Sequence, residues 1–233
     1  MRILCVVPAR GGSKGVPGKN LRTVAGKPLL VWTVEQALAA RPALDVVVST
    51  DDEQIAEAAR AAGAAVPFLR PPELARDTTP TEPVVRHALE AARAAGAAPE
   101  AVLLLQATSP VRLSGTIDRA VAEFEATGVD SLVGVVPQAP FLWTPGERPT
   151  AAYDVTARPR RQDLTPEAMR YRETGSLYLT RSWVYDELDN RIGGRVGLFV
   201  MDEVEGSDVD TELDLLVAEQ ILRSLAAPAG STP

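Results

Sequence analysis

The sequence is poor in the residues that enzymes most often use for covalent chemistry. In 233 residues it has one cysteine, Cys5, and one histidine, His87. A single cysteine excludes an internal disulfide and favours a reducing compartment. Cys5 lies in an apolar run, where burial would make its thiol a poor nucleophile. His87, between apolar positions of a predicted helix, is interpreted as a packed or surface residue. We therefore expect chemistry that needs no protein nucleophile.

Positive charge and long hydrophobic runs are also scarce. The chain has 24 lysines and arginines against 31 acidic residues, a net charge of −7, which argues against a nucleic-acid partner. No apolar run reaches transmembrane length and no signal peptide opens the sequence, so we expect no membrane partner and a cytoplasmic protein. An apolar content of 45% is ordinary for a globular protein, and we expect one domain over residues 1–233.

The three lysines all lie between positions 14 and 27, in or just after a glycine-rich stretch. Residues 8–20 read Pro-Ala-Arg-Gly-Gly-Ser-Lys-Gly-Val-Pro-Gly-Lys-Asn and follow the apolar run 3–7, which predicts a buried strand. Glycines let backbone amides approach a bound group, and Arg10, Lys14 and Lys19 add positive charge. The pattern indicates a polyphosphate site. The alternative is a surface turn with solvated charges.

This loop fits neither of the common phosphate-binding patterns. Aligned on Gly18 and Lys19, a P-loop would need glycine at Ser13 and a hydroxyl at Asn20. The dinucleotide fingerprint G-x-G-x-x-G is absent from the stretch.

Strand-like and helix-like segments alternate along the rest of the chain, which predicts an α/β fold with a mostly parallel sheet. Ligands of such sheets bind beyond the carboxyl ends of the strands. The predicted strands are 3–7, 45–52 with polar residues at its end, 101–105, 131–136, 171–179 and 196–201. The predicted helices are 29–40, 54–62, 83–95, 117–126 and one after residue 211 with Leu213, Leu216, Val217 and Ile221 on its inner side. Residues 228–233 are expected to form a frayed tail.

Two aspartates near the end of the chain, Asp208 and Asp210, are candidate metal ligands. In an extended segment they would point to one side, and a divalent cation would relieve their repulsion. The alternative is that Asp210 or Thr211 caps the following helix, with Asp214 completing the cap. Capping explains one aspartate and leaves the other without a role.

The loop at residues 8–20 resembles the N-terminal signature of the CMP-sialic acid synthetase family, the cytidylyltransferases that activate acidic sugars. Residues 69–77, 105–112, 171–179 and 207–214 resemble later family segments. The resemblance implies a Rossmann-like nucleotidyltransferase fold with a dimerisation arm at residues 137–170, and a homodimer. It also implies transfer of CMP from CTP to an acidic acceptor with release of pyrophosphate.

The resemblance also carries over residue roles. Arg10, Lys19, Asp208 and Asp210 would be catalytic, with the two aspartates holding Mg²⁺. Gln106, Arg161, Arg172 and Tyr178 would bind the acceptor, with Arg160 an alternative to Arg161. The residues that would bind the nucleotide are Ala9, Arg10, Gly11, Ser13, Lys14, Lys19, Asn20, Arg70 and Thr81. Thr81 could at the same time be the N-cap of the helix that follows it.

The sequence departs from the family pattern around the acceptor. Ala107 replaces a proline, Thr174 replaces an asparagine, and Arg191-Ile192 stands where some members carry an aromatic pair. A sialic-acid-like 2-keto sugar acid is the expected acceptor. The alternatives are a small phosphonate such as phosphonoformate, or a nucleotide sensor without catalysis.

Overall fold

The computed structural model describes residues 1–226, so the expected tail at 228–233 lies outside the described residues. The strands are β1 (Ile3–Pro8), β2 (Thr23–Val24), β3 (Lys27–Pro28), β4 (Leu44–Ser49), β5 (Ala101–Leu104), β6 (Ser131–Gln138), β7 (Trp143–Thr144), β8 (Thr150–Ala151), β9 (Arg170–Arg181) and β10 (Val196–Val200). The helices are α1 (Leu29–Leu38), α2 (Glu53–Ala61), α3 (Thr81–Ala94), α4 (Thr116–Thr127), α5 (Ser182–Leu188) and α6 (Glu212–Ala226).

Six strands form the central sheet, in the order β10-β6-β9-β5-β1-β4. Three of the five pairings are parallel, and the other two are the antiparallel pairings of β9 with its neighbours β5 and β6. The strands β10, β6, β5, β1 and β4 therefore all run in one direction. The strands β1 and β5 are buried on both faces, as their unbroken apolar runs require. The predicted mostly parallel α/β sheet is confirmed.

Helices cover both faces of this sheet. Apolar residues of α1, α2 and α4 pack on one face around Leu103 and Leu105. On the other face, α3 and α5 pack over Leu4, Val6 and Leu104. Cys5 is fully buried, and burial raises the pKa of its thiol to about 12, in line with the expectation that it is no nucleophile.

Helix α6 packs on a third, smaller apolar cluster, and its inward face differs from the one predicted from the sequence. Its buried residues are Leu215, Ala218 and Leu222, which contact the cluster containing Val24 and Val209. Three of the four residues predicted to face inward are exposed instead: Leu213, Leu216 and Val217. Helix α6 carries apolar residues on two faces. Because the cluster it packs against is narrow, only the face with Leu215, Ala218 and Leu222 is buried.

Residues 139–169 connect β6 to β9 and carry the short pair β7-β8 and two single helical turns. This segment matches the position of the predicted arm, and its part in dimerisation stays a prediction. Within residues 1–226, no helix combines the length and hydrophobicity needed to cross a bilayer.

Candidate functional site

The glycine loop leaves the carboxyl end of β1 and packs against the segment that precedes α6. A Cβ on Gly15 would clash with the carbonyl oxygen of Asp210, so the backbones of the two segments are in direct contact. Gly18 has a φ of 62°, a left-handed conformation that favours glycine, and the single helical turn Lys19–Leu21 begins there. The glycine loop and the segment before α6 therefore meet at the edge of the sheet where ligands of this architecture bind.

Each cation of the loop contacts an acidic side chain. Arg10 Nη2 lies 2.9 Å from Asp77 Oδ1, and Lys14 Nζ lies 2.7 Å from Asp77 Oδ2. These two cations hold the pKa of Asp77 below its usual range. Lys19 is 12% exposed and its Nζ donates to the Val209 carbonyl at 2.6 Å and to Asp210 Oδ1 at 3.2 Å.

A cavity of about 370 Å³ lies between the loop, the segment before α3 and the end of β5. Nine of the predicted site residues line it: Arg10, Ser13, Lys14, Lys19, Asn20, Arg70, Thr81, Gln106 and Asp210. The structure thus gathers most of the predicted nucleotide set, one acceptor residue and one aspartate around a single space.

Two residues of the predicted nucleotide set do not line this cavity. The amide of Ala9 donates to the Ser49 carbonyl at 3.0 Å, and the amide of Gly11 donates to Asp51 Oδ1 at 3.0 Å. A Cβ on Gly11 would meet Asp52, so this glycine serves close packing. The amides of Ala9 and Gly11 fix the loop onto the end of β4 and onto Asp51, which follows it.

Arg70 and Asn20 line the cavity as buried polar groups. Arg70 donates from Nε to Ser49 Oγ at 3.1 Å and from Nη2 to the Ser49 carbonyl. Burial lowers the pKa of Arg70 to about 10, so it stays protonated at neutral pH. Asn20 Nδ2 donates to the Arg10 carbonyl at 2.9 Å, while its Oδ1 is buried with no hydrogen-bond partner among residues 1–226. An unpaired buried oxygen at a cavity wall is a candidate ligand contact.

Thr81 lines the cavity but is not the N-cap. Helix α3 begins at Thr81, and Pro80 occupies the cap position. The possible capping role given to Thr81 is therefore wrong, because the helix starts two residues earlier than the sequence pattern suggested.

Three of the predicted acceptor residues lie away from this cavity in their own chain. Arg161 and Arg172 line a separate cavity of about 480 Å³ at the base of the 139–169 segment. Arg172 Nη2 donates to the Gly206 carbonyl at 3.0 Å. Tyr178 is buried, its hydroxyl donates to Glu173 Oε1 at 2.6 Å, and burial raises its pKa. Only Gln106 of the acceptor set reaches the main cavity.

The two aspartates have different surroundings. Asp208 is partly buried, and its Oδ1 accepts from Ser109 Oγ at 3.3 Å and from the Val209 amide at 3.0 Å. Burial raises the pKa of Asp208. Asp210 is exposed and contacts Lys19.

Thr211 and Asp214 cap the N-terminus of α6. The carboxylates of Asp208 and Asp210 do not take part in this cap. Asp214 Oδ2 accepts from the Thr211 amide at 2.8 Å, and the Asp214 amide donates to Thr211 Oγ1 at 3.2 Å. Within the described part of the chain, no three His, Cys, Asp or Glu side chains form a metal-binding group. Two carboxylates, one of which lines the cavity, still fit Mg²⁺, which is commonly held by one or two carboxylates together with substrate phosphates.

Sequence reasoning missed Asp77, which lines the cavity and contacts two of the loop cations. Asp77 ends the segment 69–77 that was compared with the family, so the motif contained it. The direction of the Asp77 side chain depends on how the proline-containing segment 69–77 folds, and a periodic sequence pattern does not predict that.

Comparisons with known proteins agree with this geometry. A family model described as cytidylyltransferase matches residues 4–145. CMP-N,N'-diacetyllegionaminic acid synthase of Legionella pneumophila is 36% identical over 228 residues, covering 95% of this chain and 97% of that protein. Pseudaminic acid cytidylyltransferase of Campylobacter jejuni is 31% identical over 224 residues, covering 94% of this chain and 95% of that protein.

A solved structure supports the fold independently. CMP:2-keto-3-deoxy-manno-octonic acid synthetase complexed with CTP superposes with a TM-score of 0.70 at 17% identity, covering 96% of this chain and 99% of that one. The Rossmann-like nucleotidyltransferase fold expected from the resemblance is confirmed. With the family model matching more than half of its length and close relatives spanning nearly all of it, the chain belongs to the cytidylyltransferase family of CTP-dependent enzymes.

Proposed function

We propose that the chain transfers CMP from CTP to a sialic-acid-like 2-keto sugar acid and releases pyrophosphate. The observation that carries this proposal is the single cavity in which Arg10, Lys14 and Lys19 face Asp210 and Gln106. The acceptor class is supported by two relatives, whose names refer to legionaminic and pseudaminic acid. The phosphonate alternative draws no support from these relatives.

The loop would bind the triphosphate of CTP. Negative charge grows on the departing pyrophosphate, so cations fixed near it stabilise the transition state more than the ground state. We assign this role to Arg10, Lys14 and Lys19. Ser13 would add a hydroxyl donor. Asn20, Arg70 and Thr81 would hold the nucleoside, and the unpaired Oδ1 of Asn20 is a ready acceptor for it.

We propose Mg²⁺ as the divalent ion and Asp208 and Asp210 as its protein ligands. When bound, the ion would neutralise charge on phosphate oxygens. The side chains themselves orient the site: Ser109 donates to Asp208, and Lys19 contacts Asp210, so each carboxylate is held in one direction. No residue of the chain needs to form a covalent intermediate, which agrees with the buried thiol of Cys5.

On the acceptor side, we propose that the chain acts as a homodimer. Gln106 binds the acceptor from within the chain. Arg161 and Arg172, which lie outside the main cavity of their own chain, are proposed to serve the acceptor site through the dimer. Tyr178 is buried within its own chain and does not reach a partner's site. Since the reaction consumes CTP and Cys5 is unpaired, we propose the cytoplasm as its compartment.

The test is release of pyrophosphate from CTP and Mg²⁺ across a panel of acidic acceptors that includes 2-keto sugar acids and phosphonoformate. Release with a 2-keto sugar acid alone is the expected result, and the Asp210→Asn chain serves as the inactive control. Release with phosphonoformate alone would replace the proposed acceptor. Binding of CTP without release for any acceptor would contradict the proposed transfer.

A further inference from the structure

Arg112, a residue that no role has been given so far, donates to the carbonyl of Gln106, which lines the main cavity. It is 5% exposed, and its guanidinium donates to acceptors on three elements. Nε and Nη2 donate to the Ser176 carbonyl on β9, at 3.2 and 2.6 Å. Nη2 also donates to the Gln106 carbonyl at 3.3 Å, and Nη1 donates to Thr33 Oγ1 at 3.1 Å and Gln36 Oε1 at 3.0 Å, both on α1.

All of these acceptors are neutral, so Arg112 is a buried cation without an ion pair in the described part of the chain. Burial lowers the pKa of Arg112 to about 10, which leaves it protonated at neutral pH. The carboxylates of Glu205 and Asp208 are close enough to favour its charged form. A buried arginine is costly to desolvate, and hydrophobic replacement is often as stable. Stability alone therefore gives a weak reason for it.

The two carbonyls that Arg112 holds lie on either side of a tight contact in the cavity floor. The Gln106 amide group packs so closely on Gly175 that a Cβ there would clash with Gln106 Oε1. The same Cβ would lie 3.2 Å from Ser109 Oγ, the hydroxyl that donates to Asp208. Arg112 thus fixes the spacing between β9 and the end of β5, where Gln106, Ser109 and Gly175 meet.

We propose that Arg112 is a positioning residue for the acceptor: its planar fork sets the distance between the Gln106 and Ser176 carbonyls and so aims the Gln106 amide at the acceptor. The inference rests on the proposed CMP transfer. It assigns no contact between Arg112 and either substrate. The side chain acts through Gln106, and its effect should fall on the acceptor and not on CTP.

The charge and the fork of Arg112 are separated by two variants. Arg112→Lys keeps the charge but cannot bridge two carbonyls in one plane. Arg112→Ala removes both and opens space beside a cavity of about 480 Å³ between α1 and α4, which Arg112 already borders. That cavity gives added guanidinium a route to the vacated position, and urea is its neutral control of similar shape.

The steady-state experiment compares wild type, Arg112→Lys and Phe124→Leu, a fully buried α4 variant remote from the cavity that controls for lost stability. For Arg112→Lys we expect kcat/KM for the acceptor to fall about 100-fold, since a misplacement of about 1 Å is enough for that loss. The KM for CTP should stay within about twofold of wild type, because the loop is untouched. Hydrogen exchange should quicken in residues 104–109 and 173–178, and millimolar guanidinium should restore part of the activity of Arg112→Ala.

Three outcomes would overturn the role of Arg112. One is wild-type kinetics for Arg112→Lys, and another is a loss equal to that of Phe124→Leu at the same melting temperature. A third is a fall in kcat/KM of Arg112→Lys that is equal for CTP and for the acceptor, with no change in hydrogen exchange. If Arg112→Ala does not fold, Arg112→Lys decides alone. Failure of the proposed function would appear separately, as absence of turnover in the wild-type chain. The hydrogen-exchange comparison would still test whether Arg112 holds the Gln106 and Ser176 carbonyls in place.

Discussion

At the scale of single residues, Lys19 connects the glycine loop to the segment before α6. Its Nζ is held by the Val209 carbonyl and Asp210, 190 and 191 positions away, and only 12% of its side chain is exposed. A cation held this way is ready to meet charge that develops on a leaving group. Lys27, in contrast, contacts Glu35 and lies over the ring of Trp32, outside the cavity.

We expect Lys19→Met to lower kcat about 100-fold, the usual cost of removing one fixed donor to a developing charge. Lys27→Met is the matched control and should keep wild-type kcat, because it removes the same charge outside the site. The measurement is initial-rate pyrophosphate release at saturating CTP. Equal losses in the two variants would mean that Lys19 acts through net charge alone.

If the loop binds the triphosphate of CTP as proposed, the phosphates compete with Asp77 for the same cations. The two oxygens of Asp77 contact Arg10 and Lys14, the cations assigned to the triphosphate. We expect Asp77→Asn to lower the dissociation constant of CTP roughly two- to fivefold, the range of exposed ion pairs, and to do so less at high salt. Titration calorimetry at two salt concentrations measures it.

The control for Asp77 is Asp186→Asn, which breaks the ion pair with Arg93 at a position remote from the loop. Its affinity for CTP should match that of wild type. Weaker CTP binding in Asp77→Asn would show that Asp77 holds the loop in its binding shape and does not compete with phosphate.

At the scale of elements, the contact between the glycine loop and the segment before α6 decides whether the site forms. A Cβ on Gly15 would collide with the Asp210 carbonyl, whereas a Cβ on Gly12 would meet no atom within 4 Å. We expect Gly15→Ala to lower kcat/KM for CTP at least about tenfold, because it separates Lys19 from Asp210. Gly12→Ala should retain activity.

Both glycine variants should show the far-ultraviolet circular dichroism of wild type, since the contact lies outside the sheet and helices. Should Gly15→Ala bind and turn over CTP as well as Gly12→Ala does, the packing of the loop on Asp210 would have no part in the site.

The elements that the sequence predicted well are those with strong apolar patterns. The runs around Val6 and Leu103 became β1 and β5 within one residue of the expected ends, and the run around Val47 became β4, which ends three residues before the expected end. The antiparallel direction of β9 was not predicted, because strand direction is fixed by tertiary pairing and leaves no mark on a local pattern. The inward face of α6 was mistaken because Leu213 and Leu215 are equally apolar, and only the partner cluster selects between them.

The sequence predicted site residues that belong to a local motif. It did not predict the roles of residues whose partners lie in distant segments of the chain. Lys19 and Asp210 were both singled out, although the sequence could not show their contact. Asp77 and Arg112 were not assigned roles, since each acts through partners far along the chain. Gly11 was assigned to the nucleotide, while the structure uses its amide to hold the loop on Asp51.

At the scale of the whole molecule, the segment 139–169 is one of the parts of the described chain that leave large apolar side chains exposed. Trp143 is 55% exposed, and Leu142 and Val155 are also exposed large apolar residues there. Apolar side chains of this kind on a projecting segment are typical of a protein interface. Arg161 lies in the same segment, away from the cavity that holds Gln106. A second copy is the simplest partner that brings the two together.

The homodimer makes a prediction that no single chain can satisfy. If Arg161 serves the partner's site, then Arg161→Ala and Asp210→Asn each lack activity as pure proteins, for different reasons. Mixed and allowed to exchange subunits, they should regain part of the wild-type rate, because one site of each mixed dimer receives an intact Arg161 and an intact Asp210. A mixture of Lys19→Met with Asp210→Asn is the control: both changes fall in the cavity of one chain, so neither cavity of a mixed dimer is complete and this mixture should stay inactive. Absence of restoration in the first mixture would contradict the role of Arg161 in the partner's site, and the sedimentation of each pure variant as a dimer excludes failed assembly as the cause.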